Sequence, residues 1–113
     1  MIMDVTQTMY GIFNIETGEL LRGPFKSVRG ASNSRSAVID TAIQTYMLQA
    51  DRDYHGLFMS WHRHKHRKDL VEFLFSKYNP VEVTDLLDAC DRFRKQIQVR
   101  PVVVTMTMGE LKD

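Results

Sequence analysis

Val5-Thr6-Gln7-Thr8-Met9-Tyr10-Gly11-Ile12-Phe13-Asn14-Ile15 leads through Glu16-Thr17-Gly18 into Leu20-Leu21-Arg22, and this stretch decides the fold. Val5, Met9, Phe13 and Ile15 fall on one face of an extended chain, Tyr10 and Ile12 on the other, which is the period of a strand. Glu16-Thr17-Gly18 predicts a three-residue hairpin loop, with Gly18 in the left-handed conformation. The returning strand is expected to halt or bend at Gly23-Pro24. A second extended run lies at the far end, where Pro101 opens a strand from Val102 to Met108. There Val102, Val104, Met106 and Met108 share a face opposite Thr105 and Thr107.

Between these strands the period changes to that of helices. Val38, Ala42, Ile43, Tyr46 and Met47 make one apolar stripe of a helix ending near Ala50-Asp51, with Ser34 or Ser36 as its N-cap. Lys26 to Ser36 reads as a loop around a flexible Gly30. Tyr54 to Trp61 fits either a helix or a short buried strand, because periodicity alone does not separate them. Leu70, Val71, Phe73, Leu74, Phe75 and Tyr78 predict an apolar helix that stops at Asn79-Pro80. The same dipeptide starts the next helix, with Asn79 as N-cap, Pro80 at the first helical position and Glu82 placed for a capping box. In that helix Val83, Leu86, Leu87, Cys90, Phe93 and Ile97 line up, acids lead, and Arg92, Arg94 and Lys95 close, as the helix dipole favours. The expected fold is a single α+β domain over residues 1–113. An N-terminal β-hairpin and the C-terminal strand form a small antiparallel sheet packed against three or four helices.

Composition agrees with a folded globular chain: 43% hydrophobic and 26% charged residues, with a net charge of +1 that argues against a generally basic nucleic-acid binder. The charge is unevenly spread. Leu20 to Ile39 holds Arg22, Lys26, Arg29 and Arg35 without an acid, whereas Asn79 to Asp91 holds four acids without Lys or Arg. Cys90 is the single cysteine and sits on an apolar stripe, so no intramolecular disulfide forms and a buried structural thiol is expected. Asp4 comes too early for a signal peptide, and no apolar run approaches the roughly 20 residues of a membrane span, which points to the cytoplasm.

The densest chemistry is Trp61-His62-Arg63-His64-Lys65-His66-Arg67-Lys68, and no acid occurs from Tyr54 to Lys68. Arg63, Lys65, Arg67 and Lys68 suit phosphates, Trp61 offers a stacking face, and His62, His64 and His66 add charge in mild acid. Lys26, Arg29 and Arg35 form a second basic set beside a helix N-terminus. If the histidine run is helical, His55, His62, His66 and Asp69 share a face; if extended, His62, His64 and His66 do. Zinc-type spacing is absent, so no metal, cofactor or catalytic residue is assigned. The alternative to an anion site is a solvated face that keeps an apolar helix soluble.

Tyr10-Gly11-Ile12-Phe13-Asn14-Ile15-Glu16-Thr17-Gly18-Glu19-Leu20, followed by Phe25 and a Ser/Arg/Gly-rich entry into a helix, resembles the start of many small bacteriophage accessory proteins. The resemblance covers about a third of the chain and implies a phage or mobile-element origin, acting in a host cytoplasm; it carries over no functional residues.

Three functional expectations follow, ranked in order, the third being a metal-dependent enzyme built on the histidines. The first is a non-enzymatic protein that binds a phosphate-rich ligand, nucleic acid or nucleotide, through the basic His-rich surface. The alternative is a protein-binding inhibitor or adaptor directed at a host enzyme or defence system, using an exposed edge strand or the acidic face of Asp85, Asp88 and Asp91. The uncharged, β-branched strand Val102–Thr107 also suits homodimerisation.

Overall fold

A computed structural model describes residues 3–50 and 54–108, without the side chains of residues 3–5 and 106–108. The order is β1 (Met3–Asn14), β2 (Glu19–Phe25), α1 (Val28–Gln49), α2 (Tyr54–His64), α3 (Leu70–Lys77), α4 (Pro80–Gln96) and β3 (Ile97–Met108). This is an α+β fold with four helices and a three-stranded antiparallel sheet of order β2-β1-β3. Two compact units divide the chain: Met1–Arg35 with Ile97–Asp113, and Ser36–Gln96.

In the first unit the hairpin forms as expected, but its loop has four residues, Ile15 to Gly18, closed by the pair Asn14↔Glu19. Asn14 is the reason. Its side-chain Oδ1 accepts the Glu16 N–H at 3.0 Å and the Thr17 N–H at 3.3 Å, while its carbonyl accepts Gly18 N–H at 2.8 Å. That Asx-type turn ends the strand one residue early and exposes Ile15. Gly18 has φ 74°, the left-handed value the turn needs. Gly23-Pro24 does not halt β2. The strand slips register between Tyr10↔Phe25, Ile12↔Arg22 and Phe13↔Leu20, and so absorbs the dipeptide as an irregularity.

β3 begins at Ile97, directly after α4, rather than at Pro101. It pairs with β1 without a register shift from Asn14↔Ile97 to Met3↔Met108. Ile97, expected as the last member of the α4 stripe, is the first strand residue. β2 meets β1 only from Tyr10 to Asn14, so Met3–Met9 pairs with β3 alone as a two-stranded ribbon. Val102 and Val104 are half-buried while Val103 and Thr105 are exposed, which matches the expected alternation; the side chains of Val5 and Met106 to Met108 lie outside the description.

α1 starts at Val28, far ahead of the expected position. Ser27 caps it, Oγ accepting the Gly30 N–H at 3.1 Å and its carbonyl the Ala31 N–H at 3.2 Å. Residues 28–36 are therefore helix and not loop. The buried stripe is Ala31, Ile39, Ile43 and Met47. Arg35 occupies the stripe position between Ala31 and Ile39 and donates Nε–H to the Ile97 carbonyl at 2.7 Å, which masks the periodicity. The helix ends at Gln49, and Asp51 lies outside the described residues.

In the second unit α2 settles the ambiguous stretch as helix, burying Leu57, Phe58 and Trp61. α3 buries Leu74 but leaves Val71 and Phe75 exposed, so it is less immersed than its composition suggests. Asn79 and Pro80 start α4 as expected: Asn79 Oδ1 accepts Val81 N–H at 2.9 Å and its carbonyl accepts Val83 N–H at 3.0 Å. Val83, Leu86, Ala89 and Cys90 are buried. No described helix is long and apolar enough to cross a membrane.

Candidate interaction surfaces

The basic run lies at the end of α2 and in the turn before α3. Cations there are ordinary helix chemistry: His62, Arg63 and His64 sit in the last turn of α2, where the helix dipole is negative. Trp61 is 2% exposed and lies 5.7 Å from the Phe58 ring, so its indole belongs to the core and offers no stacking platform. This overturns its expected role; i, i+3 and i+4 spacing from Leu57 and Phe58 placed it on the buried face.

Several cations of the run are already occupied within the chain. Asp40 of α1 receives Lys65 Nζ at 2.8 Å and lies 3.3 Å from His62 Nδ1, with the aspartate and lysine side chains only 17% and 22% exposed. Lys65 also lies 5.6 Å from the centre of the Trp61 ring. His64 Nδ1 meets the Ser60 carbonyl at 2.9 Å, and its ring centre is 4.9 Å from that of Phe73. Arg67 pairs with Asp69 through Nε and stacks at 4.3 Å on the Phe73 ring, which Lys77 approaches at 4.8 Å. The Arg67 hydrogen bond holds the Asp69 carboxyl below the usual aspartate range, and the Asp69 side chain makes no capping hydrogen bond to α3. Arg63, His66 and Lys68 stay exposed without an acidic partner among the described residues.

α2 ends at His64, so His66 and Asp69 leave the face they would have shared with His55 and His62. Among the described residues no three His, Cys, Asp or Glu side chains are placed to hold a metal ion. Of the second basic set, Lys26 and Arg29 are exposed at the start of α1, whereas Arg35 is half-buried with its guanidinium turned to Ile97. This set belongs to the sheet-containing unit, the His-rich run to the helical one. Burial pushes the Cys90 thiol up to about 11, so it stays protonated and inert at neutral pH. On α4, Asp88 and Asp91 are exposed, and Lys95 Nζ meets Asp91 at 3.0 Å.

The other surface is the outer edge of β3. In an antiparallel pair, alternate residues turn both N–H and C=O toward one side. The Ile97 carbonyl accepts Arg35, so it turns away from β1. The Asn14 carbonyl accepts the Gly18 N–H on the β2 side, so its opposite residue Ile97 faces away from β1, and two steps of two along the unshifted register bring Pro101 to the same side. Both observations give the same parity: Ile97, Val99, Pro101, Val103, Thr105 and Thr107 point outward. This explains how proline is tolerated inside the strand, since its missing N–H lies on the side where no neighbour needs it. No strand lies beyond β3 among the described residues, and Val103 is 67% exposed. The sole charged residue of β3 is Arg100.

No family model, curated protein or solved structure matches the chain.

Proposed function

We propose that the protein is a non-enzymatic protein-binding adaptor or inhibitor that receives an extended segment of a partner chain along the outer edge of β3. The observation that carries this reading is a twelve-residue edge strand with no register shift against β1 and no charge from Pro101 to Met108. Such an edge is normally blunted by charge, proline or a bulge; β3 carries Arg100 and Pro101 in its first half and none of these from Val102 to Met108. Backbone N–H and C=O groups supply affinity in strand addition, while alternating side chains supply selectivity. The ribbon Met3–Met9 with Val102–Met108 also gains most from a third strand, because two strands alone are marginal in water. The opening hairpin's likeness to phage accessory proteins supports a phage or mobile-element origin and, with it, a host cytoplasm as location.

The test is a pulldown with the full chain. A single stoichiometric partner is expected, either another protein or an untagged second copy of this chain, insensitive to nuclease and lost in Thr105→Pro, which removes an outward N–H. Capture unchanged by that substitution would sink the reading.

A second reading, binding of nucleic acid or nucleotide, keeps support from exposed Arg63, His66 and Lys68. It has fewer groups to work with, because Lys65 and Arg67 are engaged and Trp61 is buried. Its signature is a binding constant that falls steeply with salt and with Arg63→Ala/Lys68→Ala.

A further inference from the structure

We infer that the occupant fitting the β3 edge is a second copy of this chain, paired antiparallel over Val103–Thr107 with Thr105 on the two-fold axis. The inference rests on the strand-addition reading above and names the partner.

Parity and Pro101 set the register. Two copies of β3 related by a two-fold axis must oppose outward residues to outward residues, which restricts the axis to a few positions. With the axis at Val103 or Val104, Pro101 stands opposite Thr105 or Thr107 and leaves their backbone groups without an N–H to accept. With the axis at Thr105, Val103 faces Thr107 and Thr105 faces itself, and each outward N–H and C=O in that span finds a partner. Pro101 then lies outside the paired span.

The residue types agree with self-pairing. In this register Val103 opposes Thr107, Val104 opposes Met106, Val102 opposes Met108 and Thr105 opposes Thr105. None is charged, and like charges directly opposite are what most often forbids a strand from pairing with itself. A strand without charge also has nothing with which to select a charged foreign peptide. Arg35 covers the Ile97 carbonyl and Pro101 lacks an N–H, so the longest outward run that keeps both N–H and C=O for a partner among the described residues is Val103 to Thr107. The product is one continuous sheet, β2-β1-β3-β3-β1-β2 across the two copies, in which the two-stranded ribbon becomes interior.

The experiment uses the full chain, with light scattering for mass and amide hydrogen exchange for the edge. A dimer is expected, with the amides of Val103 and Thr105 protected. T105P and T105K should each weaken it roughly tenfold or more, the first by removing bonds and the second by setting like charges across the axis. Mixing T105K with T105E should restore dimers, an outcome that only self-pairing near Thr105 produces. Circular dichroism of T105K, whose position is exposed, checks that the monomer is folded. A monomer with fast exchange at Val103 and Thr105, or a dimer indifferent to all three variants, overturns the inference. If the chain is monomeric and T105P still abolishes capture of a different protein, self-pairing falls while strand addition stands. If T105P changes neither assembly nor capture, both fall.

Discussion

The α2–α3 corner and the β1–β3 ribbon make opposite use of polar groups. The corner carries the greatest density of charge in the sequence, and much of it is internally matched: Lys65 and His62 to Asp40, Arg67 to Asp69 and Phe73. The ribbon carries almost no charge, yet among the described residues no strand lies beside its outer row of backbone donors and acceptors. A charged side chain is long enough to find a partner in its own chain; an edge backbone group is held by its strand and cannot turn inward. Formal charge is therefore a poor guide to which surface is available, and unpaired backbone is a better one.

Four measurements would break or sharpen that contrast. The largest effect belongs to Trp61→Ala. As a core residue its loss should cost about 3–5 kcal/mol in denaturant unfolding, whereas a solvent-facing stacking residue would cost almost nothing. In the ribbon, Val104→Pro should destabilise the monomer by roughly 1–3 kcal/mol more than Thr105→Pro, because Val104 faces β1 and Thr105 does not. Equal losses would refute the assigned parity. Asp40→Ala should cost about 1–2 kcal/mol by leaving Lys65 half-buried without its acid. It should also increase binding to a polyanion matrix, so unchanged retention would mean that Lys65 is not held in reserve by Asp40.

The smallest effect is at Asp69. Its carboxyl is depressed in the folded chain, so the stabilisation it gives is present above the ordinary aspartate pKa and fades as pH falls through the folded value. Carbon-detected NMR titration should find Asp69 below the usual range and returning to it in Arg67→Ala. A titration unmoved by that substitution would remove Arg67 as the cause.

Local signals carried most of the fold. The Asn79-Pro80 boundary, the α4 stripe, the hairpin and the terminal strand are legible because each depends on residues within a turn or two of one another. The start of α1 was not legible. Gly30, Ser32, Asn33 and Ser34 are weak helix formers, and Arg35 fills an apolar stripe position through a bond to Ile97, 62 residues away. Trp61 could have been placed: once Leu57 and Phe58 are read as helical, their spacing puts its ring on the buried side.

What the amino-acid order determined by itself is the alternation of periods two and 3.6, hence an α+β chain, and the presence of both a basic run and an uncharged strand. Only the tertiary structure decided that Asp40 reaches Lys65 from another helix and that Val103 and Thr105 turn their backbone away from β1. The reason is distance along the chain. Periodicity reports neighbours a few residues apart, whereas ion-pair neutralisation and edge exposure depend on which remote segment arrives, or fails to arrive, alongside.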